Sequence, residues 1–163
     1  MIAGSTSSSS NNKTELLDTS TWSWTRTVDH PSNSKGNCQT NGEMVYLYPH
    51  FYIIGGLHDK FDSIGEINRF DEFERIWTFV GQLAHPRQQF SAILHEPSYT
   101  IMIYGGQTSY KDEENLYNVP SQKCVIQGDT VVCTEQQPTL DGTTLPYVFL
   151  VEDDFCRGIA PGY

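Results

Sequence analysis

Residues 51–56 read FYIIGG, and residues 100–106 read TIMIYGG, so that Gly55 and Gly105 stand 50 residues apart. A recurrence at that distance is a strong constraint, because whatever one copy folds into the other must also be able to fold into. Each copy is an apolar run ending in two glycines. The run suits a strand buried on both faces. The glycines suit a sharp exit with positive φ and a close neighbouring backbone.

Further markers follow at the same period. Phe70 precedes Trp77 by seven residues, with Asp71 directly after the phenylalanine. Leu17-Asp18 precede Trp24 by seven, and Tyr117-Asn118 precede Cys124 by about the same interval. Trp24 to Trp77 is 53 residues and Trp77 to Cys124 is 47, which brackets the glycine period and sets Cys124 where a tryptophan is expected. The chain therefore reads as about three repeats, covering roughly 16–127.

On the residues IIGG (53–56), Phe70 and Trp77, with Arg87 ahead of the next strand, the chain resembles the kelch-repeat family of β-propellers. The resemblance implies an all-β fold of kelch-type blades, with Gly55, Gly56, Phe70, Trp77, Gly105 and Gly106 as structural positions. Three blade-lengths fall short of the roughly 4 to 8 that a closed propeller uses, so the expectation is an incomplete propeller, or fan, belonging to a larger one. An open apolar face at each end of that fan, near Trp22–Trp24 and near 147–151, implies self-association.

In chain order, 1–13 is a Ser/Asn-rich lead expected to be disordered. A partial blade is expected at 14–30, whole blades at 43–82 and 89–133, a degenerate closing segment at 134–156 and a tail at 157–163. The alternation of Trp22 and Trp24 with Ser23 and Thr25 has the period of a half-buried strand. Phe70, Phe73, Trp77 and Val80 fall on one helical face, which taken alone predicts a short amphipathic helix. The corresponding pieces of the other copies carry β-branched residues and Pro120, so the repeat predicts a turn at 71–74 between two strands.

The segment CVIQGDTVVC, 124–133, is symmetrical about Gly128-Asp129 and predicts a two-residue hairpin. Its pairing would set Cys124 opposite Cys133 on a non-hydrogen-bonded rung, close enough for a disulfide. The other cysteines are Cys38 and Cys156, and Cys133 with Cys156 is the competing pairing. An even cysteine count with one geometrically suited pair points towards the extracellular or secretory side rather than the cytoplasm.

The net charge of −10 disfavours nucleic-acid and anionic-membrane partners, and no apolar run approaches the length of a membrane span. The five histidines lack metal-ligand spacing, and no nucleophile elbow or phosphate loop is present, so neither metal, cofactor nor enzymatic activity is expected. In kelch propellers the loops after the glycine pair and those entering each blade share a binding face. The resemblance thus implies a protein-interaction module whose contact loops are 57–62, 107–112, 27–42 and 83–88. His58, Phe61, Arg87 and Tyr110 are the candidate contact residues, and the partner is an unidentified protein. The alternatives are a fragment of a copper-radical, galactose-oxidase-type enzyme, and the substrate-recognition part of a cytosolic E3-ligase adaptor.

Overall fold

The computed structural model describes residues 2–6, 9–31, 39–57, 62–108, 119–136, 148 and 150. Strands β1 (Ile2–Thr6), β2 (Ser9–Asp18) and β3 (Ser23–Arg26) form a three-stranded antiparallel sheet in that order. Two meanders of four strands follow. The first comprises β4 (Glu43–Leu47), β5 (His50–Leu57), β6 (Ser63–Asp71) and β7 (Trp77–Gln82). The second comprises β8 (Ser91–His95), β9 (Thr100–Tyr104), β10 (Gln122–Gln127) and β11 (Thr130–Glu135). A single 3-10 turn, Glu96–Ser98, joins β8 to β9, and no α-helix occurs among the described residues. The protein is all-β.

Each meander is antiparallel throughout, and they meet along one short parallel seam, where Val131 and Val132 of β11 pair with Gly81 and Gln82 of β7. At the far side β4 lies alongside β8, so the eight strands make a nearly closed, barrel-like mixed sheet. A side chain at Gly81 would run into the Val131 carbonyl, and glycine lets the seam form.

The registers of the two meanders superimpose. With Gly55 matched to Gly105, the rung Tyr46–Phe51–Phe70–Trp77 corresponds to Leu94–Ile101–Cys124–Cys133. In the N-terminal sheet the same rung is Leu17–Trp24. The seven-residue spacing is thus a cross-strand pair closed by one recurring turn. Asp18 Oδ1 accepts from the Ser20 amide at 2.8 Å, and Asp71 Oδ1 from the Phe73 and Glu74 amides at 2.8 and 2.7 Å. The residue four beyond each aspartate has positive φ, Trp22 at 54° and Arg75 at 56°. A short carboxylate that satisfies turn amides is what this geometry needs.

The rung also corrects the assignment of Cys124. That residue occupies the place of Phe70, and Cys133 occupies the place of Trp77. The reason is turn length: the Asp turn is replaced by the two-residue Gly128-Asp129 turn, with Gly128 at φ 60°. Cys124 and Cys133 are bonded to each other, their Cα atoms 4.0 Å apart. Spacing along the rungs is then even, 53 residues from Leu17 to Phe70 and 54 from Phe70 to Cys124.

Two faces follow from the pleat, the marker face that carries the rung and the reverse face. Val45, Tyr52, Ile54, Ile67 and Val80, on the reverse face of the first meander, pack against Ile101, Ile103 and Cys124 on the marker face of the second. The N-terminal sheet repeats the contact one step earlier. Thr14, the counterpart of Ile67, receives a hydrogen bond from Trp77 Nε1 at 3.2 Å, on the marker face of the first meander. His30 adds an edge-on contact to the same indole, centroids 4.5 Å apart.

Other expectations fare differently. The helical reading of 70–80 gives way to strand, turn and strand, as the repeat required. Phe70 is fully buried, whereas Trp77 is only half-buried. The lead expected to be disordered is paired instead, residues 2–6 with β2, because the polar stretch has a strand edge to hydrogen-bond. Of the closing segment, Thr134 and Glu135 belong to β11, while 137–147 and 151–156 lie outside the described residues, as does the tail at 157–163.

Candidate functional site

The glycine pairs sit at the same edge of the two meanders, where β4 and β8 begin and β5 and β9 end. All four glycines have positive φ: 56° and 103° at Gly55 and Gly56, 63° and 91° at Gly105 and Gly106. Space is as restrictive as torsion. A Cβ on Gly106 would lie 2.7 Å from the Gln88 carbonyl, and one on Gly56 would run into that of Thr40.

What approaches so closely is an isolated β-bridge, made identically in both meanders. Thr40 exchanges both backbone hydrogen bonds with Leu57 (2.9 and 2.6 Å), and Gln88 does so with Gln107 (3.0 Å each). The residue after each bridge is left-handed, Asn41 at φ 55° and Gln89 at 52°. The residue before it sends a buried donor inwards. Gln39 Nε2 donates to the Gly55 carbonyl and Arg87 NH1 to that of Gly105 at 2.9 Å. Asn68 in turn holds the Gln39 side chain at 3.3 Å.

Arg87 does more than its counterpart. Its NH2 donates to the Pro120 carbonyl at 2.6 Å, and its own carbonyl accepts from the Gly56 amide at 2.7 Å. One residue therefore ties the first glycine pair to the second. Burial pushes its pKa down to about 10, which leaves the guanidinium charged at neutral pH. The linker around it is equally fixed. Gln122, fully buried, accepts from the Ala84 amide at 2.9 Å and donates to the His85 carbonyl at 3.3 Å, and His85 Nε2 meets Glu135 Oε1 at 2.6 Å.

Three buried polar atoms at this edge have no hydrogen-bond partner: Ser63 Oγ beside Leu57, Gln88 Nε2, and Thr108 Oγ1. An orphaned buried donor or acceptor costs roughly 1–3 kcal/mol. Glu43, which opens β4 here, has its carboxyl pKa raised by burial.

Of the contact residues expected from sequence, Arg87 is corrected. It is fully buried with its guanidinium spent on backbone carbonyls, and it braces the edge instead of facing a partner. His58, Phe61 and Tyr110 lie outside the described residues. Sequence reasoning passed over Gln39, Thr40, Gln88 and Gln107. A signal existed for one of them, since Gln39 stands 48 residues before Arg87, close to the repeat period. The pairs His50–Asp71 (3.1 Å) and His85–Glu135 stand apart from each other. Among the described residues no three His, Cys, Asp or Glu side chains converge as metal ligands would.

No protein-family model matches the sequence, and no curated protein matches it.

Proposed function

We propose that the chain is a non-enzymatic protein-interaction module of kelch-type blades that offers the glycine edge to a protein partner. One observation carries the reading. Both meanders hold the ends of their connecting segments by the same device, a β-bridge over a glycine pair with a buried donor behind it. A rigid edge of this kind limits the ordering entropy that a binding surface must give up on association. The shared register of the two meanders and the reverse-on-marker packing support the blade interpretation. The Cys124–Cys133 bond supports an oxidising compartment and weighs against a cytosolic adaptor.

The test is a comparison of edges on one binding partner, captured by the immobilised wild-type chain. Asn41→Arg and Asp62→Arg alter exposed positions at the glycine edge, and Glu74→Arg and Glu96→Arg alter exposed positions at the opposite, hairpin-turn edge. Binding should fall at least about 10-fold with the first two and stay within 2-fold with the others, in line with interface against remote surface changes. A partner indifferent to the glycine edge overturns the reading.

A further inference from the structure

Asn41 and Gly42 directly follow the Thr40–Leu57 bridge, and both are exposed to water. The fold accounts for each of them. Asn41 has φ 55°, a left-handed value that asparagine tolerates better than most residues. Gly42 admits no side chain, since a Cβ there would lie 2.6 Å from the Ile54 carbonyl and 2.7 Å from that of Gly55. Packing therefore sets a carboxamide beside a following amide that no side chain shields. The second meander builds the same corner without that pair. Gln89 is left-handed at φ 52°, and the residue after it is the buried Phe90.

An Asn-Gly pair can modify itself. The Gly42 amide nitrogen attacks Asn41 Cγ, its proton is lost, and ammonia leaves to give a five-membered succinimide. Water then opens the ring. Cleavage between Cγ and nitrogen leaves aspartate at 41. Cleavage at the former backbone carbonyl leaves isoaspartate, which adds one methylene to the main chain between Thr40 and Gly42. At the counterpart corner a glutamine would need a six-membered ring, and the bulk of Phe90 would crowd it.

In the folded protein this attack is out of reach. Ring closure needs the Gly42 nitrogen on the same side of the Cα–C bond as the Asn41 side chain, and left-handed backbone turns it to the opposite side. Bringing it round swings Gly42 off the Ile54 and Gly55 carbonyls and pulls at the two Thr40–Leu57 hydrogen bonds. We propose that Asn41 is a modification site gated by this bridge, converting to aspartate or isoaspartate only while the bridge is open. The isoaspartyl product is one-way. Its extra methylene has no room beside carbonyls that already exclude a Cβ, so the bridge does not reclose.

The test is chemical and needs no binding partner. The full chain is incubated at mildly alkaline pH, digested and mapped for isoaspartate at 41. Conversion in the folded chain should be at least about 10-fold slower than in the same chain unfolded in guanidinium chloride, a ratio set by the opening equilibrium. Gln39→Ala removes the donor behind the bridge and should speed conversion in the folded state about 5–30-fold. Trp77→Ala, at the hairpin-turn edge, should change it by less than about 3-fold, with near-UV circular dichroism verifying that both variants are folded. In the isolated isoaspartyl form, hydrogen exchange at the Thr40 and Leu57 amides should be at least about 10-fold faster. Asn41→Asp, which adds the charge without the methylene, should keep their protection. Folded-state conversion as fast as unfolded, a rate that Trp77→Ala raises as much as Gln39→Ala does, or an isoaspartyl chain that keeps its protection overturns the proposal.

Discussion

The two meanders hold one register by different means. In the first, the third and fourth strands are locked by an aromatic pair, Phe70 and Trp77, 5.1 Å between centroids and 53° between planes. In the second, a disulfide between Cys124 and Cys133 stands at the same rung. The turns differ to match. A five-residue Asp turn spaces strands that carry large rings, and a two-residue glycine turn brings two cysteines together. The position in front of each first strand differs likewise, with Gln39 serving one glycine pair and Arg87 serving its own and the neighbour's. The repeat conserves where a constraint acts and leaves its chemistry free.

Arg87→Ala should break the second meander most severely. It strands the buried carbonyl of Gly105 and the half-buried carbonyl of Pro120, each costing about 1–3 kcal/mol, so a loss of about 3–5 kcal/mol is expected in chemical melts. Gln39→Ala, its counterpart in the first meander, should cost about 1–2 kcal/mol, because its amide is uncharged and its bonds to the Glu66 carbonyl and the Asn68 side chain are long, 3.4 and 3.3 Å. Equal losses would show that the two bridges are equally dependent on their donors.

The locks themselves come next. Replacing both Cys124 and Cys133 by alanine opens a loop of sequence separation 9 and should cost about 2.5 kcal/mol on the chain-entropy account. Trp77→Ala should cost about 2–3 kcal/mol, below the range for a wholly buried aromatic, because the indole is only half-covered. The discriminating measurement is additivity. The triple variant should lose the sum of the two, since the rungs lie in different meanders. A large shortfall would mean that the two locks share one core contact.

The smallest effect concerns acid. The Glu74 amide first, then the Phe73 amide with His50 beside it, holds the Asp71 carboxyl below its ordinary value of 3.8, against partial burial. A depressed folded-state value favours the ionised form in the native protein. Its contribution is therefore complete above about pH 3.8 and is lost as the pH falls through the lower, folded value. Asp71→Asn should flatten that acid limb in a stability–pH series while keeping the turn, since asparagine can accept the same amides. An unchanged acid limb would assign the loss to other carboxylates.

Much of this was legible in residue order. The strand, turn and strand of 63–82 followed from the period even though the local pattern around Phe73 and Trp77 was helical. The Cys124–Cys133 hairpin followed from its symmetry about Gly128. Arg87 was legible as a marker that either faces a partner or braces the blade, but its partners were not, because carbonyls at 105 and 120 leave no local pattern. The same holds for Gln39 and Gln122.

By itself, the sequence determined that strands recur near 50 residues, where each ends, and which cysteines can face each other. These are local matters of alternation, turn chemistry and glycine torsion. Only the tertiary structure decided that Cys124 stands in the phenylalanine place, that Trp77 is half-covered, and that one arginine joins two glycine edges. Those depend on which sheet face meets which, a property of packing between segments far apart along the chain.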